Sequence, residues 1–269
     1  MKKFNNQIAL ITGGASGIGK IMGELLLQKG LEKLVIWDLN EGLLEQTTME
    51  LMKKGFKVYP YLIDIANTEK VIETAIRVRA EVGSVSLLIN NAGIIVGKPF
   101  SMHSHTEIEK TIAVNTSAHL HITREFLPDM IAANFGHIVN IASAAGMVSN
   151  PNMSVYVASK WAMLGWSDSL LLEMYQQQSK VSVTTVTPFY IDTGMFKGVR
   201  SPIIPIISPM KAARKIINGI EKNRRFVRMP RLVYALSFIK GILPSTWFDK
   251  IVGQWLGVYS SMNTFEGRN

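Results

Sequence analysis

From residue 8 to residue 187 the chain alternates short apolar runs with longer stretches of helical periodicity. The runs at 8–12, 34–37, 57–62, 86–90, 137–141 and 182–187 have the length of strands. The segments at about 17–30, 41–54, 68–82, 106–133 and 155–178 have the length and pattern of helices. Strands separated by helices cannot form hairpins. They pair in parallel through right-handed crossovers, and a parallel sheet is covered by helices on both faces. The alternation therefore predicts an α/β fold with a doubly wound parallel sheet of about seven strands.

Such a sheet needs a large core, and 47% of the 269 residues are apolar against 18% charged. That balance excludes disorder, and the length suits a single large domain. There are no cysteines, which removes disulfides, thiolate nucleophiles and cysteine-ligated zinc. The opening stretch MKKFNNQIALITGG has too short an apolar run for a secretory signal. No window offers the ~18 uninterrupted apolar residues of a membrane span. A cytoplasmic protein is expected.

The composition shifts near residue 197. Residues 197–269 hold 13 Lys and Arg against 3 Asp and Glu, whereas residues 1–196 hold 16 against 17. The whole net charge of +9 thus comes from the last quarter. After Pro202, Pro205 and Pro209 come a helix-like 210–221, a strand-like 226–229 and apolar-basic segments near 231–243 and 245–258. The chain divides into a core at 1–200 and a C-terminal helical extension of the same domain at 201–269.

The first strand runs into Thr12-Gly-Gly-Ala-Ser-Gly-Ile-Gly19, with a helix to follow. Glycines at 13, 17 and 19 allow a tight turn and let backbone approach a pyrophosphate, which the positive end of the helix attracts. Strand before and helix after are the context such a loop needs to bind a dinucleotide. The second strand ends in Asp38. A carboxylate there accepts hydrogen bonds from the adenosine ribose hydroxyls and repels a 2′-phosphate. Leu39 and Asn40 follow it, and Ser16 in the loop is not basic, so NAD is favoured over NADP. Asp38 as a plain cap for the helix starting near Glu41 is the competing explanation. Asp64 and Ile65 close the third strand, where they can bond the adenine amino group and cover its ring.

With these motifs in place the chain resembles the short-chain dehydrogenase/reductase family over most of its length. The resemblance rests on TGGASGIG at 12–19, Asp64, Asn90-Asn91-Ala92-Gly93, Asn115, Ser143, Tyr156-x-x-x-Lys160, and Pro188 with Thr193, all in order. It is finest to the branch of epidermal retinol dehydrogenases and lipid-droplet-associated 17β-hydroxysteroid dehydrogenases. LVIWDLN (34–40), LINNAGIIVGKPF (88–100), TPFYIDTGMFKG (187–198) and the tail MNTFEGR (262–268) carry that finer match. Two features depart from the pattern. Animal members of the branch carry an N-terminal hydrophobic membrane segment, where this chain opens on its first strand. The Pro-Gly common after the sixth strand is Pro188-Phe189 here.

The resemblance implies a Rossmann-type fold that binds a nicotinamide dinucleotide. Contacts are implied for Gly13, Ser16, Gly17, Ile18 and Gly19, then for Asp38, Asp64 and Ile65. Further along, Asn91, Ala92 and Gly93, the pair Tyr156 and Lys160, and Pro188, Ile191 and Thr193 complete the set. Hydride transfer to or from an alcohol carbon also moves a proton, and a phenol with a pKa near 10 is a poor base at neutrality. A lysine one helical turn away faces the same side as the tyrosine, and its charge favours the phenolate. By resemblance Tyr156 is the general acid/base, Lys160 its activator and a ribose ligand, Ser143 the holder of the substrate oxygen, and Asn115 the support of a relay water. Singly, Ser143 would be a turn serine and Asn115 a buried helix asparagine.

The pairs His103/His105 and His119/His121 do not suggest a metal, since residues two apart on a helix diverge. Methionines are commonly core filler. Met147, Met153 and Met195 flank the motifs and can line an apolar substrate pocket. Arg224, Arg225, Arg228 and Arg231, with Trp247 and Trp255, suit a peripheral membrane surface. They equally suit a solvated face over core aromatics, and nothing supports a nucleic-acid site. The expected function is NAD-linked interconversion of a hydrophobic alcohol (retinoid, steroid or fatty alcohol) and its carbonyl. The alternatives are an NADPH-linked carbonyl or oxoacyl reductase and a catalytically silent NAD-binding scaffold at a lipid surface. A homodimer or homotetramer through the two long helices is implied by the resemblance.

Overall fold

Successive residues of the first strand, β1 (Ile8–Thr12), feed two different cores: Ala9 and Ile11 one, Leu10 the other. The alternation follows from the pleat of a strand. It repeats in β2 (Lys33–Asp38), where Leu34 and Ile36 face one way and Val35 and Trp37 the other. It repeats again in β4 (Leu87–Asn90) and β5 (Gly136–Ile141), both buried throughout. Strands with two apolar faces must lie inside a helix–sheet–helix sandwich. The computed structural model, which describes residues 4–201, 204–230 and 232–267, has that architecture. Pro202, Arg231 and Arg268 lie outside the described residues.

The remaining strands are β3 (Val58–Leu62), β6 (Val181–Pro188) and β7 (Phe226–Met229). All pairings are parallel, in the order β3-β2-β1-β4-β5-β6-β7. The expected doubly wound sheet is therefore present. Helices α1 (Gly17–Gln28), α2 (Glu41–Lys53) and α7 (Pro209–Glu221) supply Met22, Leu51 and Ile216 to one core. Helices α3 (Thr68–Glu81), α5 (Ala118–Ala132) and α6 (Ser154–Gln176) supply Val71, Phe126 and Leu170 to the other.

The single long helix expected at 106–133 is instead α4 (His105–Ile112), a π-turn over Ala113–Ser117, and α5. The π-turn carries Asn115. The third strand stops at Leu62, so Asp64 and Ile65 lie in the loop beyond it rather than at its end. After β7, α8 (Leu232–Ile242) leads to a short helical turn at Ser245–Phe248 and a π-turn at Asp249–Trp255. Val233, Phe248, Val252 and Val258 from this segment pack onto Ala144 and Val148. The strand order reverses direction between β1 and β4, and at such a switch point the loops leaving the strand ends part to form a crevice.

Candidate active site at the carboxyl ends of the strands

The glycine loop is cross-braced before any ligand is considered. The Thr12 hydroxyl accepts from the N–H groups of Asn91 (2.9 Å) and Ala92 (3.0 Å), and the Asn91 amide donates to the carbonyls of Thr12 and Gly13. From the other side Thr47 donates to the Ala15 carbonyl at 2.8 Å. Gly13 holds φ +63, and a Cβ on Gly19 would stand 2.2 Å from the Gly13 carbonyl oxygen. Only glycine allows the turn and the close helix start. Thr193 faces the loop, its side chain 3.7 Å from where a Gly17 Cβ would be.

Asp38 does not cap α2. Asn40 does, accepting from the Leu43 N–H at 2.9 Å. Asp38 instead accepts from the Ala15 N–H through Oδ2 and from the Asn40 N–H through Oδ1, both at 3.0 Å. It links the glycine loop to the end of β2, where a ribose can also reach it. Asp64 accepts from the Ala66 N–H at 3.0 Å.

One continuous cleft joins these groups. It is lined by Gly13, Ser16, Gly17, Ile18, Asp38, Asp64, Ile65, Asn91, Ala92 and Gly93, and onward by Ser143, Tyr156, Lys160, Pro188, Ile191 and Thr193. The residues fit a dinucleotide: carboxylates for ribose and adenine at one end, a cradle that a Cβ would fill in the middle, and a Tyr/Lys pair at the other end. Gly19 lies just beneath, its hydrogen taking the place a side chain could not.

At the far end Ser143 follows β5, held by an Ala145 N–H donating to its Oγ at 3.1 Å. Tyr156 and Lys160 stand one turn apart near the start of α6, and both are buried. Lys160 Nζ donates to the Ile141 carbonyl at 3.0 Å and sits 5.7 Å from the Tyr156 ring centre. Burial pushes the Tyr156 phenol up to about 12. A hydrogen bond with Ser143 works against that rise, and Tyr190 adds to it. Burial also pushes Lys160 down to about 8. The lowering expected from Lys160 is not found here: burial dominates, and the group that lowers the phenol is Ser143. Each charged form loses water on burial, so phenolate and ammonium are each costly alone and favour one another.

Asn115 Oδ1 accepts from the Ile94 N–H (2.8 Å), and its Nδ2 donates to the Ile94 carbonyl (2.9 Å) and Ser159 Oγ (3.1 Å). The amide ties the π-turn to the loop after β4 and to α6. The π-turn points this side chain inward, a common use of such irregularities. One turn on, His119 is fully buried with Nε2 2.9 Å from the Ala92 carbonyl. Burial and then Lys160 push it down to about 3, so it is a neutral imidazole donating to that carbonyl. His121 is exposed, and among the described residues no three His, Asp or Glu side chains converge as metal ligands.

Of the three methionines, Met195 lines the cleft, and Met153 lines a smaller chamber that shares Ser143 with it. Met147 lines neither and packs under the C-terminal helices. Sequence reasoning missed Asn150, Tyr190, Phe196 and Ser261. Phe196 meets the Tyr156 ring edge-on at 6.1 Å. The tail reaches the same place, with Met262 in the cluster around Tyr156 and Phe265 packed on it. A Cβ on Gly97 would collide with the Phe265 ring, so any larger residue there would force the ring or the loop to shift.

The C-terminal segment leaves large apolar side chains in solvent: Phe238 is 71% exposed, Ile242 63%, Trp247 64% and Trp255 76%. Several of its basic groups are engaged locally, Lys240 among them through the Met147 carbonyl at 2.9 Å. Arg225 pairs with Asp168 at 3.2 Å, and Arg228 lies over the rings of Phe226 and Tyr234. No helix among the described residues is long and apolar enough to cross a membrane.

Residues 7–203 match the family model described as short chain dehydrogenase. Mouse epidermal retinol dehydrogenase 2 is 38% identical over 272 residues, covering 99% of this chain and 87% of that one. Human estradiol 17-beta-dehydrogenase 11 is 34% identical over 264 residues, covering 94% and 88%. The crystal structure of a short chain dehydrogenase/reductase from Burkholderia phymatum in complex with NAD superposes with a TM-score of 0.82. Its sequence is 26% identical, and the match covers 94% of this chain and 97% of that one.

Proposed function

The chain belongs to the short-chain dehydrogenase/reductase family, in the branch of the retinol and 17β-hydroxysteroid dehydrogenases, and from that premise we propose that it interconverts a hydrophobic alcohol and its carbonyl with NAD. The observation that carries the proposal is the meeting of Ser143, Tyr156 and Lys160 at one end of the dinucleotide-shaped cleft. When bound, oxidised NAD accepts a hydride from the alcohol carbon and presents a positively charged ring. Tyr156 takes the hydroxyl proton during oxidation and returns it during reduction. Ser143 donates its one proton to the Tyr156 oxygen, favouring the phenolate, until substrate binds, and then to the substrate oxygen. Lys160 supplies the balancing charge next to the phenol and holds the nicotinamide ribose. Asn115 orders the relay water by fixing the π-turn beside Lys160.

Family members bind NAD or NADP. Asp38 supports NAD here, because a 2′-phosphate would meet its carboxylate with no arginine beside it. The proposed adenine contacts are Asp64 and Ile65. An apolar substrate is supported by Phe189, Met195 and Phe196 in the cleft wall and by the names of the relatives. Residues 1–200 are proposed as the catalytic core and 201–269 as its substrate lid. The lid's exposed aromatics, within a segment so rich in Lys and Arg, support peripheral docking on an anionic lipid surface. Self-association through α5 and α6 is supported by Leu172 and Tyr175, exposed on α6.

The deciding assay offers NAD and, separately, NADP with a panel of retinoid, steroid and fatty alcohols, and follows absorbance of the reduced nicotinamide. Turnover with NAD on one apolar class is expected. Tyr156→Phe should lose roughly 10²–10⁴-fold in kcat, the usual value of a general acid/base. Near-wild-type turnover in that variant would overturn the mechanism. NAD binding without turnover of any alcohol would favour the silent scaffold.

A further inference from the structure

The tail at 261–267 brings no group to the hydride transfer, yet it ties together two segments at the substrate end of the cleft. On one side it runs along 197–200. The N–H groups of Glu266 (2.9 Å) and Gly267 (3.4 Å) donate to the Lys197 carbonyl, and the Arg200 N–H donates to the Ser261 carbonyl at 3.2 Å. The Thr264 hydroxyl donates to the Gly198 carbonyl at 2.6 Å. A Cβ on Gly198 would stand 2.1 Å from the Thr264 carbonyl oxygen, so the two segments lie backbone against backbone. On the other side Phe265 and Met262 lie against Gly97, in the loop after β4 that also carries Gly93 and Ile94 into the cleft wall. Among the described residues, the backbone hydrogen bonds of 194–200 are either local turns or bonds to the tail.

The segment held in this way forms part of the apolar wall. Met195 and Phe196 line the cleft just before Lys197. Phe196 stands edge-on to Tyr156 at 6.1 Å and to Tyr190 at 5.0 Å, in one cluster with Met262 and Phe265. Tyr190 is fixed by the tail in turn. Its hydroxyl lies 2.9 Å from the buried Ser261 Oγ, and Asn150 Nδ2 reaches the same two oxygens at 3.0 and 2.9 Å. The tail thus grips the wall by two routes, the backbone of 197–200 and the Tyr190 ring. Resting on the alcohol dehydrogenase activity proposed above, we propose that the tail positions the ring wall of the substrate site, with Phe265 and Ser261 as its positioning residues, and that the wall so ordered selects alcohols with a long apolar body. A wall that had to become ordered as substrate arrived would give up part of the binding energy to that ordering. A long apolar body depends on the wall, whereas a short alcohol buries little against it.

The test combines kinetics at saturating NAD with limited trypsin digestion, and melting temperature reports folding. Phe265→Ala empties the contact with Gly97, and Gly97→Ala drives the ring off it from the other side, so either serves if the other does not fold. In both, the preference for decanol over butanol in kcat/KM should fall roughly tenfold, mainly through the KM for decanol, while butanol keeps its wild-type value. Phe265→Leu, still apolar, should keep most of the preference. Glu266→Gln, which weakens only the exposed ion pair with Lys197, should keep all of it. Trypsin should cut after Lys197 and Arg200 roughly tenfold faster in the two alanine variants, and at the wild-type rate elsewhere in the chain. Equal losses on both alcohols with faster cutting throughout would mean a weakened fold. Wild-type cutting, or an unchanged preference, in a folded variant would mean that the wall stands without the tail. Each of these results overturns the inference while leaving the alcohol dehydrogenase in place. If the wild type oxidises no alcohol of the panel, the proposed activity falls, and the digestion alone decides whether the tail holds the segment.

Discussion

The glycine loop lines one end of the cleft, the C-terminal segment packs behind the residues at the other end, and the two are built on opposite plans. Around the loop, backbone groups face the ligand space, and side chains such as Thr12, Asn91 and Thr47 turn inward to brace it. In the C-terminal segment side chains do the facing, inward from Val233, Phe248 and Val258 and outward from Phe238, Trp247 and Trp255. Backbone has one chemistry, so the loop suits a ligand that never changes. Side chains can differ at every position, so the lid is where a substrate or a surface can be chosen. The plans also differ in tolerance, because a cross-braced loop has nowhere to move.

The sharpest way to break this contrast is to add one methyl group to each plan. Gly19→Ala places a carbon 2.2 Å from a carbonyl oxygen, and that oxygen belongs to backbone already held by Asn91. The loop must open, and NAD affinity should fall by roughly 100-fold or more, about 2.7 kcal/mol. Gly165→Ala, inside α6 where nothing lies within 4 Å of the new Cβ, should instead stabilise the fold by ~0.5–1 kcal/mol. Calorimetric titration with NAD and thermal unfolding read both. Equal, small effects would mean that the loop is no more constrained than an ordinary helix.

The outward half of the lid is tested by Trp247→Ser with Trp255→Ser. On vesicles of anionic phospholipid at low salt the wild type should sediment with the lipid, and it should be released by added salt. The double variant should bind roughly 100-fold more weakly, about 1.4 kcal/mol per ring. Its NAD affinity should match wild type, because neither ring approaches the cleft. Binding that survives the loss of both rings would assign the surface to the charges alone. No binding by the wild type would return the aromatics to a contact between copies of this chain.

The parts visible in sequence were those encoded by neighbouring residues. Alternating strands show themselves because Leu34 to Trp37 sends residues to both faces, and Tyr156 and Lys160 show themselves because one helical turn separates them. The π-turn escaped because it adds one residue to a helix without altering its apolar pattern. Asp64 was set at the end of the third strand although the apolar run, like the strand itself, stops at Leu62, and the acid lies two residues on in the loop. The Asn150–Tyr190–Ser261 cluster was invisible, since its members are joined only when tail, lid and catalytic loop are folded together. Met147 looked like a pocket residue by its place in the chain, yet its side chain turns toward Val148 and the C-terminal helices. The direction of the Tyr156 shift was also out of reach. Sequence shows the neighbouring lysine but not the burial that raises the phenol.

Asp38 lies where the two plans meet, a side chain that braces backbone and can also touch a ligand. Its carboxylate already takes the N–H groups of Ala15 and Asn40. Asp38→Asn keeps an acceptor for one of them and removes the charge. If the charge is what turns away a 2′-phosphate, the preference for NAD over NADP in kcat/KM should narrow by roughly tenfold, about 1.4 kcal/mol. The change should lie in the KM for NADP, with kcat nearly constant, because the hydride is transferred at the far end of the cleft. A loss of affinity for both dinucleotides alike would give a different answer. The carboxylate would then serve the loop and not the ribose, and discrimination would have to come from Leu39 and Ser16, which flank the same end of the cleft.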